Sequence, residues 1–319
     1  MSSQIANNTL TQIAIKAVSK RLLFDALKAS IASTPVTLAN FPIAALKGNW
    51  PITYRCAIAL KLAASESTAA STIANQLVEV IRGQQDVKFF PGVSGQFLSA
   101  LPWVVHADNQ GWILLTLCDQ GIADWLAYLN ELTLFPSSNQ SEQSEQSEQS
   151  APNETNIPNQ SGAAFRTEAF PRGLLCSQLQ LSLPMLLQFG HARCCAWLRH
   201  ADPASYREPP LPFTSEQPPA GIPWGWSSDS PIPCHTLLCA IVQVLDTLAD
   251  RRGDRTTCLR QGYVLVEAIY TFQAMMPLGT IHTLPTTDQI AIWSLTRAAQ
   301  QILAWIISDV LGQTPAQSF

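Results

Sequence analysis

The segment of residues 182–201 reads SLPMLLQFGHARCCAWLRHA and decides the fold of the second half of the chain. Its small and apolar residues fall within about a third of the helical circumference, at about 100° per residue. Pro184 lies where a helix tolerates proline, in the first turn. The stripe consists of Leu183, Leu186, Leu187, Gly190, Cys194, Leu198 and Ala201. This pattern predicts one long helix within Leu174–Ala201, with one face in a core.

Residues 166–319 are predicted to form an all-α helical bundle, because every long periodic segment after this one is also helical. The further helices are expected at His235–Ala249, at Cys258–Met275 and from Thr286 onward. Thr286 and Gln289 have the spacing of a capping box, and Gly312 is expected to end the last helix.

Residues 1–134 mix both periodicities and predict an α/β module with a small sheet. The expected helices are one from Leu10 to Ile31, one at Tyr54–Ala64, one that starts near Ser67 or Thr68 and stops at Gly83, and one capped by Asp119. The expected strands are Asp86–Phe90, Trp103–His106 and Trp112–Leu117. Together with the helical second half, this module gives the fold class α+β.

Residues 135–165 separate the two halves. Between Ser137 and Ser161 there is no aromatic residue, a single isoleucine and the repeat SEQSEQSEQS. Such a composition cannot bury enough apolar surface to offset the entropy of ordering the chain. A disordered linker is therefore predicted here.

The charge is low and unevenly distributed. Charged residues make up 13% of the chain, and the formal net charge is −4. Residues 1–88 contain nine Lys and Arg against four Asp and Glu, a net charge of +5, whereas residues 89–165 contain eight acidic residues and no basic one. Residues 166–319 are close to neutral, with ten Arg and eleven acidic residues. The low overall charge gives no general attraction to nucleic acid, but a basic surface on the first part remains compatible with it.

The eight cysteines include no C-x-x-C pair, so buried thiols without a metal are expected. Cys234, His235 and Cys239 form a partial ligand set, which is the less favoured interpretation. Apolar runs are too short to predict a membrane span, and the expected location is cytoplasmic. Six tryptophans are expected in the core, namely Trp103, Trp112, Trp125, Trp197, Trp293 and Trp305.

Residues 188–201 resemble the first helix of the DALR anticodon-binding domain of arginyl-tRNA synthetases, which reads approximately Gln-Tyr-Ala-His-Ala-Arg-Ile-x-Ser-x-Leu-Arg-Lys-Ala. Leu311-Gly312 with Pro315 is similar to that domain's C-terminal tail. Residues 57–63, 71–77 and 111–117 resemble the additional N-terminal domain of the same family, which touches the tRNA elbow.

The resemblance implies two tRNA-contacting domains without the catalytic domain that lies between them in a synthetase. Residues 135–165 stand in its place, no His-x-Gly-His signature is present, and no lysine follows Lys88 for a Lys-Met-Ser-Lys-Ser-like loop. Without groups to hold ATP phosphates, no aminoacylation, no ATP binding and no cofactor are expected.

The predicted function is therefore a non-catalytic tRNA-binding or tRNA-like RNA-binding protein. The alternative is a protein-interaction or assembly factor that has lost RNA binding. A third possibility is a chain that acts with a separate catalytic partner. Four departures from the family pattern bear on this choice: Ala57 and Leu114 replace asparagines, Phe189 replaces tyrosine, and Phe319 replaces the terminal methionine.

The resemblance and the distribution of basic residues together give the candidate RNA-binding residues. They are Lys47, Arg55, Lys61, Gln188, Phe189, His191, Arg193, Arg199, Arg297 and Phe319. His191 and Arg193 lie about 160° apart on an ideal helix, so they cannot reach one ligand from the same face. The competing interpretation places His191 and Arg193 in internal contacts and Arg297 in a bridge between helices.

Overall fold

The computed structural model describes residues 12–30, 36–46, 50–65, 67–85, 101–131, 182–200, 226, 229–250, 254–316 and 318. The predicted strand Asp86–Phe90 and the predicted linker 135–165 lie outside these residues. The described residues are mostly helical, with one small antiparallel sheet near the N-terminus, and thus form an α+β arrangement.

The first half forms a four-stranded sheet with helices packed on one face. Its elements are α1 (Ile15–Ser30), β1 (Ile43–Ala45), β2 (Thr53–Cys56), α2 (Ile58–Ala63), α3 (Ala70–Gln85), β3 (Trp103–Ala107), β4 (Ile113–Leu117) and α4 (Asp119–Glu131). The strand order is β1-β2-β4-β3, and every neighbouring pair is antiparallel. α1 and α3 pack against each other, with α1 also contacting β1 and α3 contacting β3.

The described part of the second half is helical throughout its regular elements. These are α5 (Leu183–Leu198), α6 (Ile232–Asp250), α7 (Arg255–Met275), α8 (Leu278–Ile281) and α9 (Thr286–Trp305). α9 continues into a π-helical turn at Ile306–Val310, after which Gly312 adopts a φ of +66° and turns the chain. α6 packs along α7, and α5 packs against both α7 and α9.

The predicted helix Tyr54–Ala64 is wrong in its first part. Residues 53–56 form strand β2, in which Tyr54 and Cys56 are buried and Arg55 is exposed, and the helix begins only at Ile58. This period-2 burial is the pattern of a strand with one face in the core. Pairing with β4 determined the structure here, and no local signal separates the strand from the helix that follows it.

Two predicted helix ends also differ. α3 continues past Gly83 to Gln85, because a glycine at an open helical position weakens a helix without ending it. The capping box of the last helix does not form. Pro285 precedes the first helical residue, and the Gln289 amide donates to the Leu284 carbonyl at 2.8 Å instead.

The two halves share one continuous apolar core. α1 contacts α6, and α4 contacts α9. The helix expected within Leu174–Ala201 is described from Leu183 to Leu198, with Pro184 in its first turn. α3 begins at Ala70, after the expected start near Ser67 or Thr68, and Asp119 is the first helical residue of α4 rather than its cap. The remaining helices and strands expected in the described residues form close to their expected bounds.

Gly190 allows α5 and α7 to approach each other, which gives a test of this packing. A Cβ at Gly190 would lie 2.6 Å from Cγ2 of Val266, a β-branched side chain with little freedom to move. We expect Gly190→Ala to lower the free energy of unfolding by about 1–3 kcal/mol, measured by urea titration.

The matched control is Gly83→Ala, where a Cβ would meet nothing within 4 Å. There the change should raise the free energy of unfolding by about 0.5–1 kcal/mol, because alanine is the better helix former. Equal effects of the two substitutions would contradict the close α5–α7 contact.

Candidate functional site

One face of the sheet is turned away from α1 and α3. One row of residues crosses it from β1 to β3, and a second row runs beside the first. The first row is Ala44, Arg55, Leu114 and His106; the second is Thr53, Thr116 and Val104. We call these residues, together with Trp112, the open sheet face. Arg55 and His106 are exposed, and Leu114 is half-buried.

A cation–aromatic pair lies on the open sheet face. The guanidinium carbon of Arg55 is 4.2 Å from the ring centroid of Trp112. Trp112 was predicted in the core, but it is only half-buried, whereas the five other tryptophans of that prediction are buried. A guanidinium over a tryptophan ring offers a cationic and aromatic surface of the kind that nucleobases contact.

The turn between β3 and β4 positions Trp112. One carboxylate oxygen of Asp108 accepts hydrogen bonds from the backbone N–H groups of Gln110 and Trp112, both at 2.9 Å. Gly111 adopts a φ of +91° and lies so close to Ala70 that a Cβ there would be 2.6 Å from the alanine methyl. The direction of Trp112 is therefore set by a turn that requires glycine.

The open sheet face also has an apolar part. Val104 is 55% exposed, and Leu46, just after β1, is 41% exposed. The Thr53 hydroxyl donates to the Pro51 carbonyl at 3.1 Å and accepts from the Thr116 hydroxyl at 3.0 Å. The surface thus combines the Arg55–Trp112 pair with apolar and hydroxyl-bearing neighbours.

Two further candidates, Lys61 and Lys47, and two departures from the family pattern, Ala57 and Leu114, belong to the first half. Lys61 is exposed on α2, and Lys47 lies outside the described residues. Ala57 immediately precedes α2, and its N–H donates to the Pro42 carbonyl at 3.0 Å. Leu114 takes the strand position of the family's asparagine and lies between Arg55 and His106 in the first row.

On α5, Gln188 and His191 bind the C-terminal segment Gln313–Ala316, which we call the strap. The Gln188 side-chain amide donates to the Thr314 carbonyl at 3.0 Å, and its oxygen accepts from the Ala316 N–H at 2.7 Å. Nδ1 of His191 lies 2.6 Å from the Ala316 carbonyl oxygen. His191 is only 3% exposed, so contact with an outside ligand would require the strap to move.

The contacts of His191 define its tautomer. A carbonyl oxygen can only accept, so Nδ1 carries the proton toward Ala316. Nε2 then accepts from the side-chain amide of Gln300, 3.3 Å away. Burial lowers the pKa of His191, partly opposed by the bond to Ala316. The lowered pKa and the acceptor role of Nε2 both fit a neutral ring that uses both nitrogens inside the protein.

The remaining candidates of the second half lie apart from this pair. Phe189 stacks on Tyr270 at 5.9 Å, and the Arg193 guanidinium lies 4.9 Å from the same ring and donates to Gln273. Arg199 is exposed at the end of α5, and Arg297 is half-buried on α9. Phe319 lies outside the described residues.

A buried carboxylate joins the two halves. Asp246 of α6 is 7% exposed and accepts hydrogen bonds from the Tyr54 hydroxyl at 2.5 Å and the Lys16 backbone N–H at 2.9 Å. Lys16 also pairs with Asp250 through its side chain. Burial raises the pKa of Asp246 to about 7, against the opposing effects of Tyr54 and Lys16. Burial and the neighbouring carboxylate together raise the pKa of Tyr54 well above its usual value.

An aromatic contact lies at the same junction. The Trp50 ring stacks on His235 of α6 at 4.2 Å and nearly parallel, and Trp226 packs against both rings at 5.4 Å. Polar and apolar contacts therefore both connect the first half to α6.

No family model, no curated protein and no solved structure matches this chain. Among the described residues, no three His, Cys, Asp or Glu side chains are grouped so that they could hold a metal ion. By length and hydropathy alone, the segments Ile232–Asp250 and Thr286–Val310 could cross a membrane. Their apolar windows are 56% and 83% buried within the protein, as in core helices.

The raised pKa of Asp246 predicts a pH dependence of stability. In the unfolded chain an aspartate has a pKa of about 3.9. Between that pH and about 7, the folded protein keeps a proton that the unfolded chain has released. The free energy of unfolding therefore falls as pH rises through this window. Above about pH 7, Asp246 causes no further decrease. We expect thermal scans to show a smaller loss of Tm from pH 5 to 7.5 in Asp246→Asn than in the unsubstituted chain.

Asp309→Asn, at an exposed acid of the same half, is the matched control and should leave the pH profile unchanged. The same profile for Asp246→Asn and the unsubstituted chain would show that Asp246 does not carry this proton.

Proposed function

We propose that this chain is a non-catalytic RNA-binding protein that holds tRNA, or tRNA-like RNA, on the open sheet face. The observation that carries the proposal is the Arg55 guanidinium lying over the Trp112 ring, in a solvent-facing row of the sheet. An unpaired base can stack on such a pair while the guanidinium attracts phosphate, and this recognition does not depend on base sequence.

The distribution of charge supports this location. Residues 1–88 carry a net charge of +5, and Lys61 extends the exposed cations of the module beyond Arg55. In the second half, the polar groups of Gln188, His191 and Arg193 are engaged in internal contacts. RNA held by the first half requires none of these contacts to break.

The second half then has a supporting role in the proposal. We propose that the second half is a helical bundle of the anticodon-binding type, joined to the first half by the linker 135–165. In this proposal the protein is cytoplasmic, does not bind ATP and does not aminoacylate tRNA. RNA lies on the open sheet face rather than in a cleft between the halves, because α1 and α6 are already in contact.

Fluorescence anisotropy with labelled total tRNA tests the proposal. We expect binding at low salt that weakens by at least tenfold between about 50 and 200 mM salt, as phosphate contacts require. Arg55→Gln should reduce the affinity about 5- to 150-fold, since base stacking contributes about 1–3 kcal/mol. Arg55→Lys keeps the charge but loses the planar group, and should give an intermediate affinity.

Arg255→Ala is the charge-matched control, because Arg255 is exposed at the start of α7 in the other half. It should bind tRNA as the unsubstituted chain does. Absence of binding at low salt, or equal losses for Arg55→Gln and Arg255→Ala, would refute RNA binding at the open sheet face.

A second function, a protein-interaction or assembly factor, is favoured by the exposed Val104 and Leu46 on or beside the same surface. Its test is a pull-down from native lysate with and without ribonuclease, repeated with Val104→Glu. A partner that persists after ribonuclease treatment and is lost in Val104→Glu would support this function over RNA binding.

A further inference from the structure

We propose that Gln188 and His191 form an exchangeable binding site for an extended peptide, which this chain fills with its own strap, Gln313–Ala316. The inference is independent of RNA binding, because it concerns a different surface and a different class of ligand. It rests on the way in which the two side chains contact the strap.

Gln188 binds the strap as a neighbouring β-strand would. Its amide pairs with the Thr314 carbonyl and the Ala316 N–H, the two backbone groups on either side of Pro315. A strand residue in a parallel ladder uses the same pair of groups on its neighbour. His191 adds a third backbone contact, to the Ala316 carbonyl. These three bonds go to backbone atoms, and one further bond joins the Gln188 amide to the Gln313 side-chain oxygen at 3.3 Å. Most of the contacts therefore recognise an extended backbone rather than particular side chains.

Proline suits the position between these bonds. Pro315 has no N–H to leave unsatisfied, and it restricts both its own φ and the residue before it toward extended conformations. A peptide of the Thr-Pro-Ala type therefore arrives already close to the bound geometry, which lowers the entropy cost of binding.

Besides these bonds, the Gln313 N–H donates to the Ile307 carbonyl at 3.1 Å. Gly312, Gln313 and Thr314 are exposed, and Pro315 and Ala316 are only half-buried. The turn at Gly312, with φ of +66°, lies between the strap and the π-helical turn, whose Ile306 and Ile307 side chains are buried. A short segment with little buried apolar surface can open without unfolding the helices beneath it.

Hydrogen exchange of the unsubstituted chain tests whether the strap detaches. The Ala316 N–H should exchange at least about 100-fold faster than the Gly190 N–H in the centre of α5, because only local opening is needed. Exchange of both amides at the same rate, that of global unfolding, would make the strap a fixed part of the core and overturn the proposal.

Binding of the peptide GQTPAQSF, the sequence of residues 312–319, tests exchange directly. Ala316→Pro removes the N–H that Gln188 binds and should free the site, so the labelled peptide should bind at least tenfold more tightly than to the unsubstituted chain. Ser318→Pro makes the same change at an exposed position and should have no effect.

Adding Gln188→Ala to Ala316→Pro should abolish the gain in peptide affinity. Circular dichroism confirms that each variant is folded before it is titrated. A folded Ala316→Pro chain that binds the peptide no better than the unsubstituted chain, or a gain that survives Gln188→Ala, would overturn the proposal. If Ala316→Pro does not fold, the hydrogen-exchange comparison decides the question.

Discussion

The buried carboxylate of Asp246 is the constraint on which the arrangement of the two halves depends. A carboxylate removed from water must be neutralised or fully hydrogen-bonded, because an unpaired buried charge costs several kcal/mol. Here the partners come from the other half of the chain, the Tyr54 hydroxyl and the Lys16 backbone N–H. Separation of the halves would remove both bonds at once. The packing of β2 and α1 against α6 therefore has a polar requirement in addition to its apolar one.

Sequence reasoning predicted the parts of this structure that local signals determine. The helix Leu183–Leu198 has a one-sided stripe, and β4 is rich in strand-forming residues, so each was predictable from its own sequence. β2 was missed because its four residues owe their conformation to pairing with β4, sixty residues later in the chain. The Tyr54–Asp246 bond was equally hidden, since its partners are 192 positions apart. Such contacts exist only after the sheet and the helices have assembled.

The candidate site was predictable to a similar extent. Arg55 was predicted as an RNA-binding residue, but its position over Trp112 depends on strand register and on the Asp108 turn, which periodicity does not reveal. On α5 the helical geometry separated His191 from Arg193, and the structure places them in different contacts. The side chains that bind the strap could not be paired with it from sequence alone. Thr314 and Ala316, to which these side chains bind, follow a π-helical turn and the positive-φ Gly312. The sequence does not specify the direction that the chain takes after these two features.

The two polar surfaces differ in how completely the protein satisfies them. On α5, His191 uses both ring nitrogens and Gln188 uses both ends of its amide within the fold. A ligand there must displace the strap. The free energy of binding is then the difference between the bonds that Gln188 and His191 make to the ligand and those they make to the strap. On the open sheet face the Arg55 guanidinium is exposed above Trp112, so a base or phosphate adds contacts without first displacing a segment of the chain. This difference favours the sheet as the surface for a charged ligand, and α5 as a surface for a competing peptide backbone.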